Sequence, residues 1–343
     1  MDQEVRVEHG ALVAAIREVL EGAGVPAPVS RVEAEVTAEA DLLGVPSHGV
    51  RMVPALVKAI REGRATPDPQ VRIVRERGAT CVLDCDNGPG RYVSVLGMRH
   101  AVGRAREAGV GVCLARRTTH WGRAHAYAWR AAQAGMIGVC ATNAIPNMLA
   151  FGSSGRLVGN NPLAIAVPAG EGRDPVVLDM AMSQAALGKV GTYLREGKKA
   201  PPGWGLDADG RPTDDPATIL ASRKILPFGG HKGAGLGVMI ELLTGALSGG
   251  LLAHEMARSD ASGLDREATK LFLALDPAAF LDPEHFCRRV RDSLTFLQTA
   301  EPGLTVLYPG ERGWQVRDRY LAEGIPIPTD IIAELRALGA SPG

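Results

Sequence analysis

The sequence predicts an α/β protein with a helical N-terminal unit. Between residues 69 and 180 short β-like runs alternate with helical stretches, whereas the first 65 residues are helical in pattern. No Gly-x-Gly-x-x-Gly lies at a strand-to-helix turn with an acidic residue about twenty positions on, so the common Rossmann fingerprint is missing.

Residues 8–23 place Leu12, Val13, Ile16, Val19 and Leu20 at helical spacing and stop at Gly22 and Gly24. A second helix is expected after Ser30, read as an N-cap with Glu33 at the capping-box position, and runs to about Leu43. A third covers 50–62 and ends at Gly63. After Pro67 and Pro69 the pattern turns to strands at Val71–Val74 and Cys81–Asp84, separated by a turn at Arg77-Gly78. A helix over 93–108, a strand at Val110–Ala115, a helix over 122–134 and a strand at Ile137–Thr142 follow. Further strands are expected at Leu163–Val167 and Val176–Met180. Residues 195–218 are rich in Gly, Pro and Asp, but Trp204 and Leu206 give them apolar anchors, so they read as an ordered surface loop. Helices should occupy 233–249, 283–299 and 330–338.

The 343 residues suffice for two compact domains of about 100–200 residues each. Aromatic residues make up only 4%, so the core must come from small aliphatic side chains and close backbone packing. Basic and acidic residues balance at 38 each, leaving no global field to attract nucleic acid or anionic lipid. An anionic ligand would need a local cluster of cations. Four of the five cysteines (Cys81, Cys85, Cys113 and Cys140, with Cys287 apart) sit in apolar, strand-like runs and read as buried reduced thiols of a cytoplasmic protein. Neither a signal peptide nor a membrane span is recognised, and no metal-ligand spacing is present.

Several segments could carry chemistry. Ser47-His48-Gly49 lies in a junction between helices, where either a capping serine or a ligand-facing histidine would fit. Thr119-His120-Trp121-Gly122 follows a strand, the place where function concentrates in α/β sheets, so His120 is the better placed acid/base group. His125, five residues later, reads as structural. Gly159-Asn160-Asn161-Pro162 and Leu178-Asp179-Met180-Ala181 both adjoin strands; an Asp there would orient a histidine or accept from a ribose hydroxyl. Gly229-Gly230-His231-Lys232-Gly233 opens an apolar helix, as either a tight turn with a solvated lysine or a phosphate seat. Pro309-Gly310-Glu311-Arg312 is a turn carrying a charge pair.

The order of these segments, together with Gly188-Lys189, Pro202-Gly203-Trp204-Gly205-Leu206-Asp207 and Asp209-Gly210-Arg211-Pro212-Thr213, resembles the malate/L-lactate dehydrogenase family over about residues 8–338. That family also includes ureidoglycolate dehydrogenase, sulfolactate dehydrogenase, diketogulonate reductase and the cyclic-imine reductases. The resemblance implies a distinctive non-Rossmann α/β fold, a homodimer, and hydride transfer between NAD or NADP and the carbon next to a carboxylate. Carried over by motif, His48 and His120 are the active-site histidines, with His120 the proton donor and His48 the alternative. Ala144, Asp179, Met180, Ala181, His231, Lys232, Gly310, Glu311 and Arg312 match cofactor-contacting segments. Ser47, Arg51, Arg123 and Asn161 are the candidates for substrate binding. On this basis residues 1–68 are expected to pack with 312–343, leaving 69–311 as the cofactor-binding core.

The chain also departs from the family pattern. Four residues beyond the Ser-His-Gly histidine the family usually places an Arg for the substrate carboxylate, and here that residue is Met52. Arg51, its neighbour, points about 100° away on a helix. Ala234 stands where a Tyr is common, and Arg123 and His125 where small residues are more usual. Either Arg123 has taken over the carboxylate contact or the pocket serves a specialised substrate. A 2-oxo/2-hydroxy acid is the leading expectation and a cyclic imine the runner-up. A non-catalytic cofactor-binding protein is the third, opposed by the presence of both His48 and His120.

Overall fold

A computed structural model describes residues 4–259 and 266–340. Strand β1 (Glu4–Val7) leads into helices α1 (His9–Gly22), α2 (Ala27–Leu42) and α3 (Val53–Arg61). Helix α2 starts earlier than expected, because Pro28 presets the backbone of its first turn and Pro26 takes the N-cap position. Ser30 is therefore inside the helix, where its hydroxyl donates to Glu21 Oε1 at 2.8 Å. Glu33 is no capping residue but a buried acid that accepts from the Tyr92 N–H at 2.7 Å.

Strands β2 (Arg72–Arg77) and β3 (Thr80–Gly88), helix α4 (Gly90–Ala108), strand β4 (Val110–Thr118), helix α5 (His125–Gln133) and strand β5 (Ile137–Thr142) come next, close to their expected places. Two short strands, β6 (Met148–Leu149) and β7 (Arg156–Val158), precede β8 (Leu163–Val167) and β9 (Val176–Met180). The stretch expected as a surface loop is more structured than its composition suggests. Helix α6 (Leu187–Arg195) runs into it, and β10 (Gly205–Leu206), β11 (Pro212–Thr213), helix α7 (Pro216–Ser222) and β12 (Lys224–Ile225) follow. Trp204 is buried there with Val190, Ala200 and Ile219. Asp215 caps α7 by accepting from the Thr218 N–H at 3.0 Å, with Pro216 in the first turn.

Helix α8 (His231–Glu241) continues as a π-helical turn over Leu242–Ala246, followed by α9 (Ala253–Ser259). Strand β13 (Ala268–Leu275), absent from the sequence expectation, precedes helices α10 (Pro283–Thr299) and α11 (Glu311–Glu323), strand β14 (Ile325–Pro328) and helix α12 (Thr329–Ala337). Among the described residues, no helix is long and apolar enough to cross a membrane.

The main sheet has seven strands in the order β2-β3-β4-β13-β5-β8-β9. Only β3 and β4, joined by α4, are parallel; every other neighbour in this sheet is antiparallel. Strand β13 slots between β4 and β5, which would otherwise be the next parallel pair, and Phe272 meets Cys113 on one side and Cys140 on the other. Small residues make this core, as the scarcity of aromatics requires: Ala101, Ala105, Ala128, Ala131, Ala164, Ala166 and Ala274 surround Phe272 and the Trp121–Tyr127 pair. A second core lies under α1, α2 and α3, where β14 pairs with β1 and brings Ile325, Ile327 and Leu335 against Leu12, Ile16 and Leu20. All five cysteines are free thiols, and Cys287 is the one not buried.

Gly111 shows how closely helix and sheet approach, since a Cβ there would run into the Ala101 carbonyl of α4. Gly111→Ala should therefore lower stability by about 1–3 kcal/mol through overpacking against backbone. The urea unfolding midpoint of the variant checks this, and an unchanged midpoint would contradict the close packing of α4 on β4.

Candidate active site

Past the end of β4 the chain turns through Thr119, His120 and Trp121, and three contacts fix that turn. Lys270, buried on β13, donates from Nζ to the Thr118 hydroxyl and, at 2.9 Å, to the Thr119 carbonyl. Gly90 brings the start of α4 against the same backbone, where a Cβ would collide with the Thr119 and His120 carbonyls. Trp121 stacks on Tyr127 with ring centroids 5.0 Å apart, and the Tyr127 hydroxyl donates to the Trp121 carbonyl.

His120 is thereby held in one orientation. The Gly122 N–H donates to its Nδ1 at 3.1 Å, so the neutral ring carries its hydrogen on Nε2. A proton on Nδ1 would face that N–H. Burial, reinforced by His48, Arg91 and Lys270, pushes the His120 pKa well below the usual histidine value.

His48 stacks over His120 with ring centroids 6.1 Å apart. It ends the single 3-10 turn Pro46–His48, and its Nδ1 is 2.9 Å from the Ser47 hydroxyl oxygen. Asp41 of α2 secures the turn by accepting from the Val50 N–H at 2.7 Å. Burial raises the Asp41 pKa to about 7, against the pull of that hydrogen bond, Arg51 and Arg91. Burial also lowers the His48 pKa to about 4; Asp179 works against this shift, and Arg123 and Arg91 add to it.

The two histidines face a cleft of about 530 Å³ that Arg123, Ala144, Asp179, Met180 and Ala181 also line. Arg123 donates from Nε to Asp179 Oδ2 at 2.9 Å, so these two candidates form an ion pair within the cleft wall. Exposed Lys189 and Arg312 line the same space. A cleft of this size is in the range of ligand pockets, about 300–1,000 Å³. Two exposed cations, the Asp179 carboxylate and the end of β9 fit the phosphates, hydroxyls and ring edges of a nicotinamide dinucleotide.

Other candidates stand outside the cleft lining. Asn161 is fully buried, its Oδ1 accepting from the Ala144 N–H at 2.9 Å and its Nδ2 donating to the Gly237 carbonyl at 2.7 Å. Its amide braces Ala144 against α8. Ser47 reaches the cleft through His48, and Arg51 lies in the turn after Gly49, close enough to Asp41 to oppose the rise in its pKa. His231 and Lys232 open α8 beyond the cleft, with the His231 ring 5.8 Å from that of Phe151. Gly310 caps α11, and Glu311 accepts from the Gln298 side chain at 2.8 Å and from the Tyr308 N–H at 3.1 Å. His125 is buried between Trp129 and Trp314, at ring distances of 5.6 and 5.2 Å.

A family model described as malate/L-lactate dehydrogenase matches residues 7–336. The chain belongs to the malate/L-lactate dehydrogenase family. It is 39% identical over 300 residues to L-sulfolactate dehydrogenase of Methanocaldococcus jannaschii, covering 86% of each chain. It is 33% identical to the Δ1-pyrroline-2-carboxylate reductase of Ancylobacter novellus, covering 99% of each. The solved structure of the Methanocaldococcus jannaschii sulfolactate dehydrogenase superposes with a TM-score of 0.89 at 34% identity, covering 98% of each chain. Membership accounts for the absent Rossmann fingerprint, and the chain is an NAD(P)-dependent oxidoreductase of this family.

Within the family frame, three residues near the histidines were not among the site residues expected from the sequence. Arg91 is 3% exposed, and its Nη2 donates to the His48 carbonyl at 3.1 Å and lies 3.7 Å from Met52 Sδ. Lys270 is the second and Lys189 the third. Lys189 was visible as part of Gly188-Lys189, whereas Arg91 and Lys270 interrupt apolar stretches in a way that one-dimensional periodicity assigns to solvent. Arg116 and Arg117 are tied to Asp84 at 3.5 and 2.8 Å, and Arg117 also to Asp86.

A neutral His120 is a testable consequence. With ¹⁵N-labelled histidine, the His120 resonance should keep its neutral, Nε2-protonated pattern as the pH is lowered through 6.5, where an ordinary histidine titrates. Titration of His120 at that pH would contradict the hydrogen bond from Gly122.

Proposed function

We propose that this chain interconverts a 2-oxo acid and a 2-hydroxy acid, with hydride passing between the nicotinamide of NAD or NADP and the carbon next to the carboxylate. The observation that carries this reading is the stacked His48–His120 pair facing a cleft with fixed charges and two exposed cations. When bound, the nicotinamide supplies or accepts the hydride. The remaining work falls to the protein.

Lys189 and Arg312 neutralise the phosphates of the dinucleotide, and the Asp179–Arg123 pair gives the cleft wall a fixed dipole. His120 presents its Nε2–H to the substrate oxygen, where negative charge develops as hydride reaches carbon. A neutral imidazole suits this task, because it donates without an alternative proton to lose at neutral pH. His48, whose Nδ1 meets the hydroxyl of half-buried Ser47, relays the proton that completes the alcohol: the neutral ring gives up its N–H proton as Nδ1 takes one from the Ser47 hydroxyl, which solvent reprotonates. This assignment shares between two rings the proton donation that the sequence reading placed on His120.

Cyclic-imine reduction is the second reading, supported by the similarity to the pyrroline-carboxylate reductase and by the Asp179 carboxylate in the cleft, where an iminium would be attracted. We place the protein in the cytoplasm as a homodimer. Leu236, Met239, Leu243 and Leu247 form an exposed apolar stripe along α8 and its π-helical extension, and Leu247 is 62% exposed. A second copy of the chain is the partner this stripe suits.

Two measurements test these readings. Loss of reduced-nicotinamide absorbance should appear with open-chain 2-oxo acids, and His120→Gln should lower kcat by about 10²–10⁴ while nucleotide binding persists. Consumption with cyclic imino acids alone would transfer the assignment to the second reading, and full turnover by His120→Gln would overturn the role of that ring. Light scattering should give a dimer mass for the wild type and a monomer mass for Leu247→Glu; a monomeric wild type would refute the dimer.

A further inference from the structure

Behind the histidines lies a second, smaller space of about 30 Å³. Thr119 and His120 line both it and the main cleft. Met52, Ala55, Leu56, Ala59 and Ala65 give it apolar walls, and three arginines, Arg64, Arg266 and the buried Arg91, complete the lining, of which Arg91 is the one that also touches His48 and Met52. A buried cation at the edge of an apolar chamber is costly unless its donors are satisfied. Those of Arg91 are satisfied only in part. Nη1 is 3.5 Å from Glu33 Oε2, Nη2 has the His48 carbonyl and the Met52 thioether, a weak acceptor, and Nε has no partner among the described residues. Burial also raises the Glu33 pKa, against the opposing pull of Arg91.

The size of the chamber narrows what could enter. One water needs about 10–15 Å³ on this measure, so the space holds a carboxylate and little more. We propose that this chamber is the seat of the substrate's carboxylate, and that Arg91, not residue 52, is the cation that receives it. This rests on the 2-oxo acid reading above. The flexible Met52 thioether yields its place beside Nη2 to a carboxylate oxygen. The reacting carbon then lies at His120, between the chamber and the main cleft. The charge that the family usually carries at position 52 is thus supplied from the neighbouring helix α4 in this chain.

The probe is oxamate, a carboxylate-bearing mimic of a 2-oxo acid, with the neutral diamide oxamide as control. Both are titrated into NADH-loaded protein and followed by nucleotide fluorescence. Arg91→Gln should weaken oxamate binding about 10–100-fold, as for a lost hydrogen bond to a charged group, and leave oxamide binding unchanged. Glu33→Gln/Arg91→Gln removes both buried charges and should show the same selective loss even if the single variant folds poorly. Met52→Arg/Arg91→Gln restores a cation beside the place of Nη2 and should recover part of the oxamate affinity, which a merely structural role for Arg91 does not predict. Oxamate binding at wild-type strength in folded Arg91→Gln or Glu33→Gln/Arg91→Gln overturns the proposal, as does a wild type that binds NADH but not oxamate. A wild type that binds neither NADH nor NADPH overturns the functional reading beneath it.

Discussion

Lys270 sits in the middle of β13 with no exposure to solvent, and its ammonium holds the Thr118 hydroxyl and the Thr119 carbonyl. An ammonium removed from water is tolerated only where its donors find acceptors, so the end of β4 must stay where these oxygens meet it. Much else is built on that constraint. It joins β13, which lies between β4 and β5 and makes the centre of the sheet antiparallel, to the backbone from which His120 projects. The Lys270 ammonium also lies 5.9 Å from the Trp121 ring centroid, so the residue after His120 is held from the same side.

Around this anchor the protein keeps its histidines uncharged. Burial, with His48, Arg91 and Lys270 adding to it, keeps a proton off His120, and the Gly122 N–H occupies the nitrogen that an added proton would need. The acids nearby are not free to compensate. Burial raises the Asp41 pKa to about 7 and its carboxylate is engaged with the Val50 N–H, and Glu33 is engaged with the start of α4 and Arg91. The resulting field favours an anion arriving from solvent over a proton arriving on a ring. That is the electrostatic setting a carbonyl reduction requires, since negative charge has to be welcomed at the substrate oxygen.

The walls of the cleft come from distant parts of the chain, and short backbone links keep them in register. The Met182 N–H donates to the Asn160 carbonyl at 2.8 Å and the Phe228 N–H to the Met182 carbonyl at 3.0 Å. These two bonds tie the Asn-Asn turn, the end of β9 and the glycine-rich start of α8 into one surface. Asn161 adds the side-chain brace between Ala144 and α8. These three motifs, far apart in the sequence, are therefore neighbours in space.

Periodicity and turn chemistry determined most of the elements. The strands Ile137–Thr142, Leu163–Val167 and Val176–Met180 and the helix over 283–299 lie where alternation, apolar spacing and flanking Gly or Pro place them, because those signals are local. The histidines at 48 and 120 were legible for the same reason, as each sits in a junction whose residue types cannot continue a helix or strand. Strand β13 was not legible, because Lys270 breaks its apolar run and only the oxygens of Thr118 and Thr119 make that lysine compatible with burial. Arg91 escaped in the same way: its partners Glu33 and His48 lie 58 and 43 positions away. Local sequence determines backbone conformation, since φ, ψ and side-chain entropy depend on near neighbours. Only the tertiary structure decides which charges are buried, because desolvation and its compensation depend on groups that folding alone brings together.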